Sequence, residues 1–306
     1  MPRRSRELKN QRVPSVGKTT LNGRVILITG ASSGIGEATA RRLARQGAIV
    51  VLAARRRERL ERIAEEIAAS GGRALAVPTD ITMEMDRCHL LERTLQAYGR
   101  LDALINNAGY GQRGPIECIP IEAIRRNFET NLFALIALTQ RVIPILRAQG
   151  GGRIVNVSSV AGRIARPFSA VYDATKHAVE AISDGLRGEL APFGIHVIVV
   201  QPGFIHTEFL DVANEVSRSV LERSEPYAPF LADLDRRYER WRRWAGGPED
   251  VAATIERALV DEPPRPRYTV PGHARLFLAL KRWLPEGLFD RMMRRQMGLI
   301  PRSSSS

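Results

Sequence analysis

Seven short runs rich in valine, isoleucine, leucine and alanine alternate with longer amphipathic stretches between residues 24 and 270, and this alternation constrains the fold more than any other feature of the chain. The runs are RVILIT (24–29), AIVVLA (48–53), residues 73–78, LDALIN (101–106), RIVNVS (153–158), IHVIVVQ (195–201) and RYTV (267–270). The first two and IHVIVVQ are apolar at consecutive positions, the pattern of strands buried on both faces. Between the runs the periodicity becomes helical: 37–46, ended by Gly47; about 56–70, with Leu60, Ile63 and Ile67 at helical spacing; 82–98; a long helix over about 120–148; about 169–192; and a helix starting at Pro248, with Glu249 and Asp250 in its first turn.

Alternation of this kind makes consecutive strands parallel and sends helices over both faces of the sheet. It predicts an α/β fold, a doubly wound, Rossmann-like parallel sheet forming a single domain over 21–271, preceded by a flexible basic leader at 1–20. The regularity breaks after Pro202 and Gly203, giving an insertion at about 204–247 beyond the carboxyl end of a strand, where doubly wound proteins build ligand sites. Phe204, Phe209, Tyr227, Phe230, Tyr238, Trp241 and Trp244 fall there and are expected to form an apolar substrate cover, with ordinary core helices as the competing reading. Residues 272–306 are a basic extension with amphipathic helices at 274–284 and 288–297 and a disordered end at Ser303–Ser306.

No apolar stretch reaches the ~18 residues of a membrane span, and the basic N-terminus has no apolar signal core behind it. Cys88 and Cys118 lack CxxC spacing, which excludes a disulfide framework or thiolate metal site and fits a reducing cytosol. The net charge of +13 is unevenly placed: residues 1–20 carry six Lys+Arg and one acid, and residues 265–302 carry nine Lys+Arg and two acids. The remainder holds 31 basic and 30 acidic residues, so the body is nearly neutral and no nucleic-acid role is expected. Basic ends either attract anionic surfaces or are simply solvated.

The turn TGASSGIG (29–36) follows the first strand and opens the first helix. Glycines let the backbone approach a pyrophosphate closely, and the helix start offers unpaired N–H groups and a positive dipole end. Gly30, Ser32, Ser33, Gly34, Ile35 and Gly36 are therefore candidate cofactor-binding residues. The second strand ends in AARRR (53–57), with no carboxylate for a ribose diol; Arg55 is placed to pair with a 2′-phosphate, which favours NADP(H) over NAD(H). The competing reading makes Arg55–Arg57 the solvated start of a helix.

Tyr172 and Lys176 lie four residues apart in a helical segment and so share a face. A neighbouring ammonium stabilises a phenolate, so the pair is expected to lower the tyrosine pKa and ready it for proton transfer. His89, His177, His196, His206 and His273 form no metal-ligand spacing, and no metal is assigned.

With these motifs in hand, the chain resembles the short-chain dehydrogenase/reductase family from about Leu21 to Tyr268. The resemblance rests on the glycine turn, NNAG (106–109), Asn131 in a helix, Ser159 thirteen residues before Tyr172, the Tyr172-x-x-x-Lys176 motif, and Pro202-Gly203 followed by Thr207. It implies Tyr172 as general acid/base, Ser159 as the hydroxyl holding the substrate oxygen, and Lys176 as the group lowering the tyrosine pKa and binding the nicotinamide ribose. Asn131 would hold a water linking Lys176 to solvent. Asp80 would contact the adenine, Asn107, Ala108 and Gly109 would lie beneath the cofactor, and Ile205 and Thr207 would contact the carboxamide; Ile81, Pro202 and Gly203 are further cofactor-binding residues that the resemblance implies. Ser158 competes for the serine role, but the thirteen-residue spacing favours Ser159.

The stretch 174–190, the aromatic insertion and the basic tail are similar to the hydroxysteroid and retinol dehydrogenase branch, which implies a ketone, aldehyde or alcohol on a lipophilic body of steroid, retinoid or fatty-chain type. The alternative is a non-catalytic NADP(H)-binding sensor or scaffold, which would have no use for an intact proton relay. The resemblance implies a homodimer or homotetramer through the long helices. A cytoplasmic protein is expected, with peripheral membrane contact through the C-terminal helices as a third reading and packing of those helices against the domain as its competitor.

Overall fold

The computed structural model describes residues 20–232, 236 and 244–299. The leader up to residue 19, Tyr238 and Trp241 of the insertion, and Ser303–Ser306 lie outside the described residues. Seven strands, β1 (Val25–Thr29), β2 (Ile49–Ala54), β3 (Arg73–Pro78), β4 (Ala103–Asn106), β5 (Gly152–Val157), β6 (Ile195–Pro202) and β7 (Arg267–Val270), pair in the order 3-2-1-4-5-6-7, every pair parallel.

The consecutive apolar residues of each strand divide between two cores, as a two-residue side-chain period requires. Ile26, Ile28, Val50 and Leu52 pack on one face with Leu43 of helix α1 (Gly34–Arg45), Leu60 and Ile63 of α2 (Arg57–Ala69), and Val251, Ile255 and Leu259 of the helix Pro248–Val260. Val25, Leu27, Ile49 and Val51 pack on the other with Leu90 of α3 (Glu84–Tyr98) and Leu138, Val142 and Leu146 further along the chain. The doubly wound sheet is as the alternation predicts.

The predicted long helix is three pieces: α4 (Ile121–Phe128), a π-helical turn at Glu129–Phe133, and α5 (Ala134–Ala148). Taken together, 121–148 is long and apolar enough to cross a membrane, yet Leu138, Val142 and Leu146 of α5 are in the core. A further helix, α6 (Ala170–Leu190), carries Tyr172 and Lys176.

The insertion is more ordered than its sequence indicated. Helix α7 (Phe209–Glu222) buries Ala213, Ser217 and Val220, a stripe whose small and polar members weaken the apolar signal. The two C-terminal helices, Gly272–Trp283 and Glu286–Gln296, turn back onto the body: Phe289 and Met293 pack on Ile164, and Met297 packs with Phe168. The packing reading of those helices therefore holds for these side chains.

Candidate active site

In the strand order 3-2-1-4-5-6-7, the chain runs outward from β1 to β2 and β3 and then crosses back to β4 on the other side of β1, and this reversal opens a crevice at the strands' carboxyl ends. A cleft of about 790 Å³ lies there. Thr29, the last residue of β1, ties the crevice together. Its hydroxyl accepts from the backbone N–H groups of Asn107 and Ala108 at 3.0 and 3.1 Å, and its carbonyl accepts from Asn107 Nδ2 at 2.9 Å.

The glycine turn is shaped for close backbone approach. A Cβ at Gly36 would fall 2.2 Å from the Gly30 carbonyl oxygen; Gly30, at φ +64°, would set one 2.9 Å from Ala108 Cα. Helix α1 begins here with no side-chain cap, leaving its first N–H groups to a ligand. The uncapped start and the bare turn fit the pyrophosphate of a dinucleotide cofactor.

Gly30, Ser32, Ser33, Gly34, Ile35, Arg55, Asp80, Ile81, Asn107, Ala108, Gly109, Ser159, Tyr172, Lys176, Pro202, Gly203, Ile205 and Thr207 all line the cleft. Two of the expected residues stand behind it. Gly36 supports the turn from the helix side. Asn131, 1% exposed in the π turn, accepts from the Tyr110 backbone N–H at 3.0 Å and donates to the Tyr110 carbonyl at 2.9 Å and to the Thr175 hydroxyl at 3.1 Å. Asp80 also closes a local turn, its carboxylate accepting from Thr82 N–H and hydroxyl at 2.9 and 2.7 Å.

At the reacting end, α6 places the Tyr172 phenol where it is influenced by the Ser159 hydroxyl. The Ser159 hydroxyl also accepts from Ala161 N–H at 3.1 Å and donates to the Pro202 carbonyl at 3.3 Å. Ser158 is turned the other way, toward the Lys176 carbonyl at 3.5 Å. Phe209, the first residue of α7, lies against Tyr172 with ring centroids 5.4 Å apart.

The electrostatics correct one expectation. Burial pushes the Tyr172 phenol up to about 12; the Arg166 charge and the Ser159 hydroxyl oppose that rise, and the Asp173 charge adds to it. Burial draws the Lys176 ammonium down to about 8, against the pull of Glu180. Lys176 Nζ donates to the Val157 carbonyl at 2.8 Å and stands 5.9 Å from the Tyr172 ring centroid. Desolvation of both groups thus outweighs their proximity, and the phenol is raised rather than lowered.

Arg56 and Arg166 were not singled out in the sequence. Arg56 reaches Ser32 and Ser33 of the glycine turn at 3.0 and 2.7 Å and Glu208 at 3.2 Å, while Arg59 holds the other oxygen of Glu208 at 2.9 Å. The AARRR run was the available signal, but it did not tell Arg55 from Arg56. Arg166 borders the cleft and donates to Asp173 from its backbone, Nε and Nη2, at 2.7, 3.1 and 2.6 Å; nothing local in its sequence marks it.

Comparison with known proteins agrees with this geometry. The family model for short chain dehydrogenases matches residues 24–217. The NADPH-dependent 3-dehydrocapnine reductase of Ornithobacterium rhinotracheale is 30% identical, with 92% of this chain and all of the relative covered. The 3-ketodihydrosphingosine reductase of Bacteroides thetaiotaomicron is 34% identical over 88% of this chain and 96% of its own. Among solved structures, a short chain dehydrogenase/reductase from Burkholderia phymatum in complex with NAD superposes with a TM-score of 0.76 at 27% identity, covering 86% of this chain and 94% of that one.

Proposed function

The chain belongs to the short-chain dehydrogenase family and is an oxidoreductase, and on that premise we propose that it uses NADP(H) to interconvert a ketone or aldehyde and an alcohol on a lipophilic substrate. The observation that carries this is that Ser159, Tyr172 and Lys176 line the same cleft as the bare glycine turn.

When bound, the nicotinamide supplies or takes up the hydride. The chain's own residues manage the oxygen and its proton. Ser159 holds the substrate oxygen, and Tyr172, protonated at neutral pH, donates to that oxygen as it gains charge; in oxidation it takes the proton back. Lys176 binds the nicotinamide ribose, and Asn131 fixes the Tyr110 backbone behind Lys176. Arg55 and Arg56, both at the exit of β2 and both lining the cleft, would hold the 2′-phosphate. The printed name of the Ornithobacterium relative supports NADPH, and both relatives' names support a keto group as the reducible function.

The same reading makes the protein a cytoplasmic homodimer or homotetramer, supported by the exposed Phe133 and Ile182 on the two long helical segments. It adds peripheral contact with anionic membrane through the C-terminal helices, supported by the exposed Leu276, Leu280 and Trp283 beside the exposed Arg275 and Arg282.

Consumption of NADPH and of NADH, measured over steroid, retinoid and fatty-chain carbonyls, tests the proposal. Turnover with NADPH is expected, with loss of about 10²–10⁴-fold in Tyr172→Phe and loss of NADPH preference in Arg55→Asp. Cofactor binding without consumption of either nucleotide across the panel would leave the sensor alternative standing instead.

A further inference from the structure

A second cavity of about 370 Å³ adjoins the first. Val160, Arg166, Gly203 and Phe204 line both. Val160 directly follows Ser159, and Gly203 directly follows Pro202, whose carbonyl receives the Ser159 hydroxyl. The neck between the cavities therefore lies within one residue of the group assigned to the substrate oxygen.

Beyond the neck the walls are Ile164, Trp244, His273, Ala274, Phe277, Met293 and Met297, so the far side is built from the C-terminal helices. Ionisable side chains enter at two points. Arg166 is held in a two-pronged ion pair with the buried Asp173, and His273 lies edge-on to Trp244 at 6.5 Å. A well lined this way has little with which to orient a polar ligand, and burying unpaired polar groups in it would be unfavourable. Flexible thioethers such as Met293 and Met297 accommodate a ligand of variable shape. The first cleft carries the residues assigned to the cofactor, whereas the second well, reached beside the reacting oxygen, has the apolar lining that suits an aliphatic chain.

We infer that this second cavity holds an unbranched aliphatic chain attached to the carbonyl group seated at Tyr172 and Ser159, making the substrate a fatty-chain ketone or aldehyde. The inference rests on the reductase reading above and narrows it. The C-terminal helices then form the wall that measures chain length.

The test uses the full chain with NADPH and a series of straight-chain methyl ketones from butanone to tetradecanone, reading kcat/KM, with calorimetric titration of the same ketones into the protein as a second readout. Each added methylene is expected to raise kcat/KM about fourfold until the cavity is full. Met293→Trp and Phe277→Trp, which narrow the well from two different positions, are each expected to abolish that rise while leaving the butanone rate unchanged. Both variants are first checked for a wild-type melting transition, so that the one that folds carries the test. A flat series, or variants that lower short and long ketones alike, would overturn the chain site while leaving the reductase intact. Chain-dependent binding that Met293→Trp or Phe277→Trp removes, without oxidation of NADPH by any ketone, would support the chain site and sink the reductase reading.

Discussion

Lys176 shows how much a single buried charge can set against the fold. Its ammonium is held at about 8 rather than the ordinary 10.5, and the cause is burial. That difference corresponds to about 3 kcal/mol of destabilisation at neutral pH. The sign follows from proton binding: between about pH 8 and 10.5 the unfolded chain holds a proton that the folded protein has released, so stability rises with pH through that window. Lys176→Met is therefore expected to melt higher than wild type at pH 7, to lose carbonyl reduction, and to show a smaller stability difference from wild type at pH 10. Calorimetric melting at the two pH values checks this; a difference independent of pH would mean that the charge is not the cause. Tyr172 and Lys176 were legible as a pair because four-residue spacing on one helix is a local property. Their protonation was not, because it depends on Val157, Phe209 and Arg166, which other elements bring to them.

At the scale of elements, the strands and most helices could be read because apolar runs and helical stripes are dense and their boundaries are marked by glycine and proline. The π turn at Glu129–Phe133 could not. One residue more per turn leaves composition unchanged, and the periodicity on either side reads through it as one helix. The turn nevertheless sets where Asn131 points, and Asn131 is what joins it to the loop after β4 and to α6. Asn131→Ala would leave the half-buried Tyr110 N–H without its partner, since the Tyr110 carbonyl keeps Asn127 and the Thr175 hydroxyl keeps the Tyr172 carbonyl. A loss of about 1–3 kcal/mol is expected in urea unfolding. A loss below about 0.5 kcal/mol, the scale of a substitution at an ordinary surface position, would show that the turn is held by helix packing alone. Helix α7 was missed for a different reason: Ala213 and Ser217 line its buried face, so its stripe is closed by small side chains rather than marked by large ones.

Across the whole molecule, charge and apolar surface concentrate at the same place. Of the net charge of +13, residues 265–302 contribute +7. On the first C-terminal helix Leu276, Leu280 and Trp283, at 73%, 48% and 81% exposure, follow one another at helical spacing, and Leu288 on the second is 49% exposed. The opposite side of the pair, through Phe277, Met293 and Met297, lines the second cavity. One pair of helices thus separates bulk solvent from the proposed chain site. An apolar stripe flanked by Arg275 and Arg282 suits the surface of an anionic bilayer, where buried apolar area and the attraction of each basic residue, about 1 kcal/mol, act together. The full chain is therefore expected to bind phosphatidylserine-containing vesicles more tightly than phosphatidylcholine vesicles in co-sedimentation, and to lose that preference as salt shortens the Debye length. Trp283→Ala and Leu276→Ser together should weaken binding at least about tenfold by removing the apolar share. Equal affinity for both vesicle types would remove the electrostatic share, and undiminished binding by the double variant would place the contact elsewhere on the molecule. If both effects appear, a fatty-chain substrate could pass from the bilayer to Tyr172 along helices whose outer face is already seated in lipid.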